Sequence, residues 1–241
     1  MASNPFMNDN KFVGNNNTLS GDYEGRMTQA GAVNKTLTLL GILAATAAIS
    51  VLYPNALFAP VGAIGGLICA VWAAFQPAKS RVLSQVYAAC EGLFLGTISM
   101  MYEHAFGGIV FQALTLTFGI LFFLLMVYKY RWIEVTSQLR TGIMAATAGI
   151  AILYLLSFAL SFAGIQIPMI HEGGWFGIGF SVFVVAIASF NLLLDFDTFE
   201  RGEQQGAPAY MEWYAAMGLL ITLVWLYVEI LRLLAKLNRR N

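Results

Sequence analysis

Charge is scarce in this chain. Lys, Arg, Asp and Glu together make up 11% of its 241 residues against 59% hydrophobic, and mean hydropathy is +0.70. A soluble domain carries roughly 25% charged and 45–50% apolar residues, so an ordinary soluble globule is excluded. Histidine is scarcer still. Only His104 and His171 occur, both in outer connectors between apolar runs, which leaves no imidazole for a nucleophile or a metal inside those runs. There is no HExxH, GxSxG or Gly-rich phosphate loop, and Asp195 and Asp197 lie on one segment, whereas aspartyl catalysis needs two separately presented carboxylates. No enzyme is expected. The two cysteines, Cys69 and Cys90, sit within apolar runs, where a thiol acts as a small hydrophobe, so neither redox compartment nor metal follows. Net charge is zero, which gives no basic surface for nucleic acid. No repeat or heptad pattern is visible.

Long apolar runs are what the chain has. A spanning helix needs about 20 apolar residues, and seven such runs occur at 35–53, 56–76, 82–102, 108–128, 141–163, 174–197 and 212–237. The expected fold is an all-α integral membrane protein, one domain of seven transmembrane helices over 34–238. Residues 1–33, rich in Asn, Gly and Ser, have no apolar core of the kind a cleaved signal needs and read as a disordered tail. Basic residues set the orientation. With the amino terminus cytoplasmic, Lys11, Arg26, Lys35, Lys79, Arg81, Lys129, Arg131, Arg140 and Arg201 all fall inside, as the positive-inside rule requires. Arg232, Lys236, Arg239 and Arg240 break the rule if the last run spans. The alternative is six spans and a segment that turns back; seven is preferred.

Intramembrane acids are the candidate functional groups, because a carboxylate at mid-bilayer costs roughly 2.5–3.5 kcal/mol on insertion scales. Asp195 and Asp197 are two apart and point to nearly opposite sides of a helix. Asp195 shares a face with Asn191, and Asp197 with Glu200 and Arg201 if the helix continues; otherwise the helix ends there and its acids reach the interface. Glu229 has Arg232 three residues on, on the same face. Glu91 has no basic residue in its own span, so a proton or a neighbouring helix has to satisfy it. The stripe of Ala88, Gly92 and Gly96 beside it lets another backbone approach, which turns Glu91 toward protein. Glu212 opens the last run, an ordinary place for an acid.

Four stretches carry a resemblance: Phe196-Asp197-Thr198, EGLFLG in span three, ALTLTFGI in span four and LYVEILRLL in span seven. In their order and span count they resemble the Bax inhibitor-1 (transmembrane Bax inhibitor motif) family over about residues 33–238, closest to its bacterial YccA-like branch. The resemblance implies a bundle whose last helix is central and ringed by the other six. It also implies a proton-sensitive pair of aspartates, one on span six and one on span seven, that gates a calcium leak. Asp197, followed by Thr, matches the first. The second departs, since the LYxxI pattern holds Glu229, about two turns or roughly 10 Å from the expected depth. Asp195 or Asp197 with Glu212, or Glu91 with Glu229, are the other pairings.

The expected function is a pH-modulated cation leak, with Ca²⁺ the leading ion and Asp195 and Asp197 its candidate ligands. Glu229 and Glu91 join them as gate residues, and Glu212 and Arg232 stand second. No resident cofactor is expected, only bound or carried Ca²⁺ and H⁺. The alternative is an interaction protein that restrains a membrane protease or another stress-response complex. A proton-coupled transporter is weaker, for want of an inverted repeat. The bacterial inner membrane is the expected location and the lipid bilayer the certain partner; oligomeric state stays open.

Overall fold

The computed structural model describes residues 25–162, 164 and 174–239. Seven helices carry the fold: α1 Gln29–Leu52, α2 Phe58–Phe75, α3 Ser80–Ala105, α4 Ile109–Lys129, α5 Ser137–Phe162, α6 Trp175–Gln204 and α7 Met211–Asn238. Each is long and apolar enough to cross a membrane, and α7 is one continuous helix of 28 residues. The last segment does not turn back, so there are seven spans rather than six.

α7 is the axis. Ala215, Ala216, Leu219, Leu220, Leu223, Leu226, Ile230 and Leu231 are buried on all its sides, the mark of a helix enclosed by others. It packs against α1, α3, α4 and α6, while α2 reaches the bundle through α3 and α5 packs on α6. Glycines set the tightest of these contacts. A Cβ on Gly96 of α3 would stand 2.4 Å from the Ala47 carbonyl of α1, and one on Gly62 of α2 would stand 2.5 Å from the Cys90 carbonyl of α3. Backbone meets backbone at both crossings, which only small residues allow.

One end of the bundle gathers most of the basic residues. There the Ser80 hydroxyl donates to the Tyr210 carbonyl and Arg131 pairs with Glu200, so the starts of α3, α5 and α7 and the ends of α4 and α6 share a level. We call this the basic end. The last helix carries Arg232, Lys236 and Arg239 to the opposite end, where Arg239 lies over the Phe106 ring.

The amino-terminal segment differs from expectation. Residues 25–28 belong to the folded domain, and α1 begins at Gln29, not near 35. Thr28 caps α1, its hydroxyl accepting from Gly31 N–H at 2.9 Å, the usual role of Thr at a helix start. Met27 N–H donates to the Ala207 carbonyl and Ala209 N–H to the Gly25 carbonyl, so the strand-like 25–28 piece straps the α6–α7 loop. Buried Glu212 fastens the strap, accepting from Thr28 N–H, the Thr28 hydroxyl and Lys35 Nζ. Its carboxylate fills the place a side chain on Gly31 would take.

α6 also runs further than the apolar run suggests, two turns beyond Asp197 to Gln204. Glu200 and Arg201 make this extension, each bonded to a neighbour, so polarity did not end the helix. His171 and Arg240 lie outside the described residues.

Candidate functional site

Three helices bring polar side chains to one another through the apolar bundle. On α5, Arg140, Thr147 and Tyr154 recur every seven residues, and Ile143, Ile150 and Ser157 recur beside them as its buried positions. That 3–4 spacing makes one inward face. On α6 a face of period 3.6 holds Gly177, Ser181, Ala188, Asn191 and Asp195; on α7 another holds Gly218, Thr222, Glu229, Arg232 and Lys236.

Near the basic end, Asp197 pairs with Arg140 of α5 and with Arg201 one turn on, the latter at 2.6 Å. A polar cavity of about 490 Å³ opens beside them, lined by Tyr128, Arg131, Glu200 and Gln204 among others. Two residues deeper, about 3 Å along the helix, Asp195 faces α7. Its Oδ1 would lie 3.9 Å from a Cβ on Gly218, and it lies near Thr222, whose hydroxyl donates to the Gly218 carbonyl at 3.2 Å. Oδ2 is buried with no hydrogen-bond partner. At the next level Asn191 donates to the Thr147 hydroxyl at 2.8 Å.

Further along, the Tyr154 hydroxyl and Arg232 both donate to Glu229 Oε1, at 2.9 and 3.0 Å. Glu229 is 1% exposed, and Arg232 stacks over the Tyr154 ring at 5.3 Å. Last, Lys236 Nζ donates to the Gly177 carbonyl at 3.0 Å and the Ser181 hydroxyl at 2.9 Å. From Gly177 to Asp197 is twenty helical residues, about 30 Å at 1.5 Å each, the thickness of the hydrocarbon layer. The polar groups therefore form a file from one face of the membrane to the other.

A family model described as Bax inhibitor 1 like matches residues 4–239. The chain belongs to that family. No individual curated protein matches it. Membership and seven spanning helices make it an integral membrane protein, with the central last helix that the resemblance implied.

The expected pairs of acids are not brought together in this Bax inhibitor 1 like chain. Asp197 is held by two guanidiniums and Glu229 by Arg232 and Tyr154, so neither faces the other. Glu212 is committed to Thr28 and Lys35, away from Asp195. Glu91 points to α2, where its carboxylate occupies the space over Gly66, and it lies beside Tyr87 one turn earlier; it does not meet Glu229. Asp195 and Asp197 do not form a joint cation site, because arginines occupy Asp197. Among the described residues no group of three or more His, Cys, Asp or Glu side chains could hold a metal ion.

Arg140, Thr147, Tyr154, Asn191 and Lys236 complete the file. By sequence Arg140 counts only among the basic residues that set the orientation, and its role shows when Thr147 and Tyr154 are counted at the same heptad position. The pattern is not an apolar heptad, since four of its six positions, Arg140, Thr147, Tyr154 and Ser157, are polar.

Proposed function

We propose that this protein is a cation leak pathway, with Ca²⁺ the leading ion, and that ions cross along the file between α5, α6 and α7. The basic end faces the cytoplasm in this reading, by the positive-inside rule, and the membrane is a bacterial inner membrane. The polar cavity beside Asp197 is the cytoplasmic mouth. Arg232 and Lys236 at the far end are no obstacle to this orientation, since Glu229 neutralises one and a carbonyl and a hydroxyl solvate the other.

One observation carries the proposal. Asp197 and Glu229 are matched by arginines, whereas Asp195 has no ion-pair partner among the described residues and keeps a buried oxygen free. A hard cation prefers oxygen ligands, and a dehydrating ion in the file finds its one uncompensated carboxylate there. Protons compete for the same oxygen. Acidification therefore fills the site with H⁺ and lowers flux, and a rise in pH restores it. Arg140 and Arg201 close the mouth electrostatically, and α5 must shift to open it.

The test is Ca²⁺ entry into liposomes holding the purified protein, scanned over roughly pH 5–8 to bracket a perturbed carboxylate. Asp195→Asn is expected to flatten the pH dependence, and Arg140→Gln to raise flux at every pH. An Asp195→Asn profile that overlays the wild type sinks the assignment. No flux above empty liposomes, from folded protein, favours the second reading, an interaction protein that restrains a membrane protease or stress-response complex. The strap speaks for that reading, because it holds residues 25–28 against the α6–α7 loop as a fixed surface.

A further inference from the structure

The file occupies one side of α7. On the other side, Leu220, Leu223, Val224 and Tyr227 form the floor of a groove of about 610 Å³, walled by α1 and α4 and completed by Leu95 and Ser99 of α3. α1 packs on α3 and α7, and α4 packs on α6 and α7, so the groove opens sideways between them. Its α1 wall includes Gly41, Ala44, Ala47 and Ala48. A Cβ added to Gly41 would meet nothing within 4 Å, so small side chains leave this space open.

No charged residue lines the groove. Its hydroxyls are already satisfied, Ser99 and Tyr227 by each other at 2.6 Å and Thr117 by the Ala113 carbonyl at 2.7 Å. Water needs two to four polar partners, and the groove offers it little beyond these bonded hydroxyls. The α1 wall runs from Leu40 to Val51, about 16 Å at 1.5 Å per residue. That is about half of a hydrocarbon layer roughly 30 Å thick. Val51 and Val110 lie at the ends of their helices away from the basic end, so the groove runs from mid-membrane to that face, the depth of one leaflet. Arg239, over the Phe106 ring, puts a cation at the same face, the charge that a phosphate headgroup there would meet.

We infer that the groove seats one acyl chain of a phospholipid from the leaflet opposite the basic end. The chain wedges α1 from α4 and supports α7 behind the turns that carry Thr222 and Glu229. Lipid is then a fitted part of the bundle, and acyl length and unsaturation bear on the central helix. This binding does not depend on whether the file conducts.

Two measurements test it. The wild-type protein purified in mild detergent is expected to retain one phospholipid per chain by phosphorus assay and native mass spectrometry. In liposomes, spin-labelled phosphatidylcholine is expected to show a motionally restricted population that falls by one lipid per protein in Gly41→Leu/Ala48→Phe, which fills the groove. Leu67→Phe, on the exposed face of α2, should leave it unchanged. Wild-type protein free of phospholipid, a filled variant that restricts as much lipid as wild type, or a free fatty acid in place of phospholipid overturns the inference.

Discussion

Removing Arg232 should harm this protein far more than removing the acid it pairs with. The two groups sit 3.0 Å apart, but the Glu229 side chain is 2% exposed and that of Arg232 41%. Breaking a buried pair costs about 3–5 kcal/mol, because the survivor is a stranded charge, and breaking an exposed one costs about 0.2–1 kcal/mol. In Arg232→Met the survivor is the buried carboxylate with one neutral donor, Tyr154. Since the guanidinium is only partly enclosed by protein, the loss falls below the full figure, at about 2–3 kcal/mol. In Glu229→Gln the survivor is a cation that can hydrate, and the new amide still accepts from Tyr154, so about 1 kcal/mol is expected. At about 2–4 °C per kcal/mol for a chain of this size, Tm should fall by about 4–12 °C and about 2–4 °C respectively, read by intrinsic fluorescence in nanodiscs. The double variant should be more stable than Arg232→Met alone. Equal losses in the two single variants, adding in the double, would refute the reasoning.

Gly96→Ala should force α1 off α3 by about 1 Å, from a 2.4 Å clash toward ordinary contact, at a cost of about 1–3 kcal/mol for overpacking. Gly41→Ala, with open space around it, should be neutral or stabilise by up to about 1 kcal/mol; the same thermal scan distinguishes them. Lys35→Met leaves Glu212 with only Thr28 as donor, so amide exchange at Met27 and Ala209 should quicken while the core of α7 stays protected. Unchanged exchange at those two amides would mean that Lys35 does not hold the strap.

The spans were legible because apolar length is a one-dimensional property, and the central position of α7 was implied by the family resemblance. Helix ends were less so. The extension of α6 past Asp197 depends on Arg140 and Arg131, contributed from more than fifty residues away. The start of α1 at Gln29 depends on Glu212 in the same way. For the site, Glu229 with Arg232 was readable because both lie on one helix face. Partners on other helices were not: hydropathy gives no rotation of one helix about another, and rotation decides that Asp197 meets Arg140 while Asp195 meets Thr222. Polar residues at heptad spacing on α5 were the signal available, and only an apolar repeat draws the eye.

The strap has a consequence for how the chain is made. Lys35 and Glu212 are 177 residues apart, so the first helix to enter the membrane waits for the last before its ion pair can form. Its seat on α3 exists early, and its seat on α7 comes only with the final segment. A nascent chain halted after six helices leaves Lys35 without its Glu212 partner. Completion of synthesis is thereby written into the basic end as a closed or open latch.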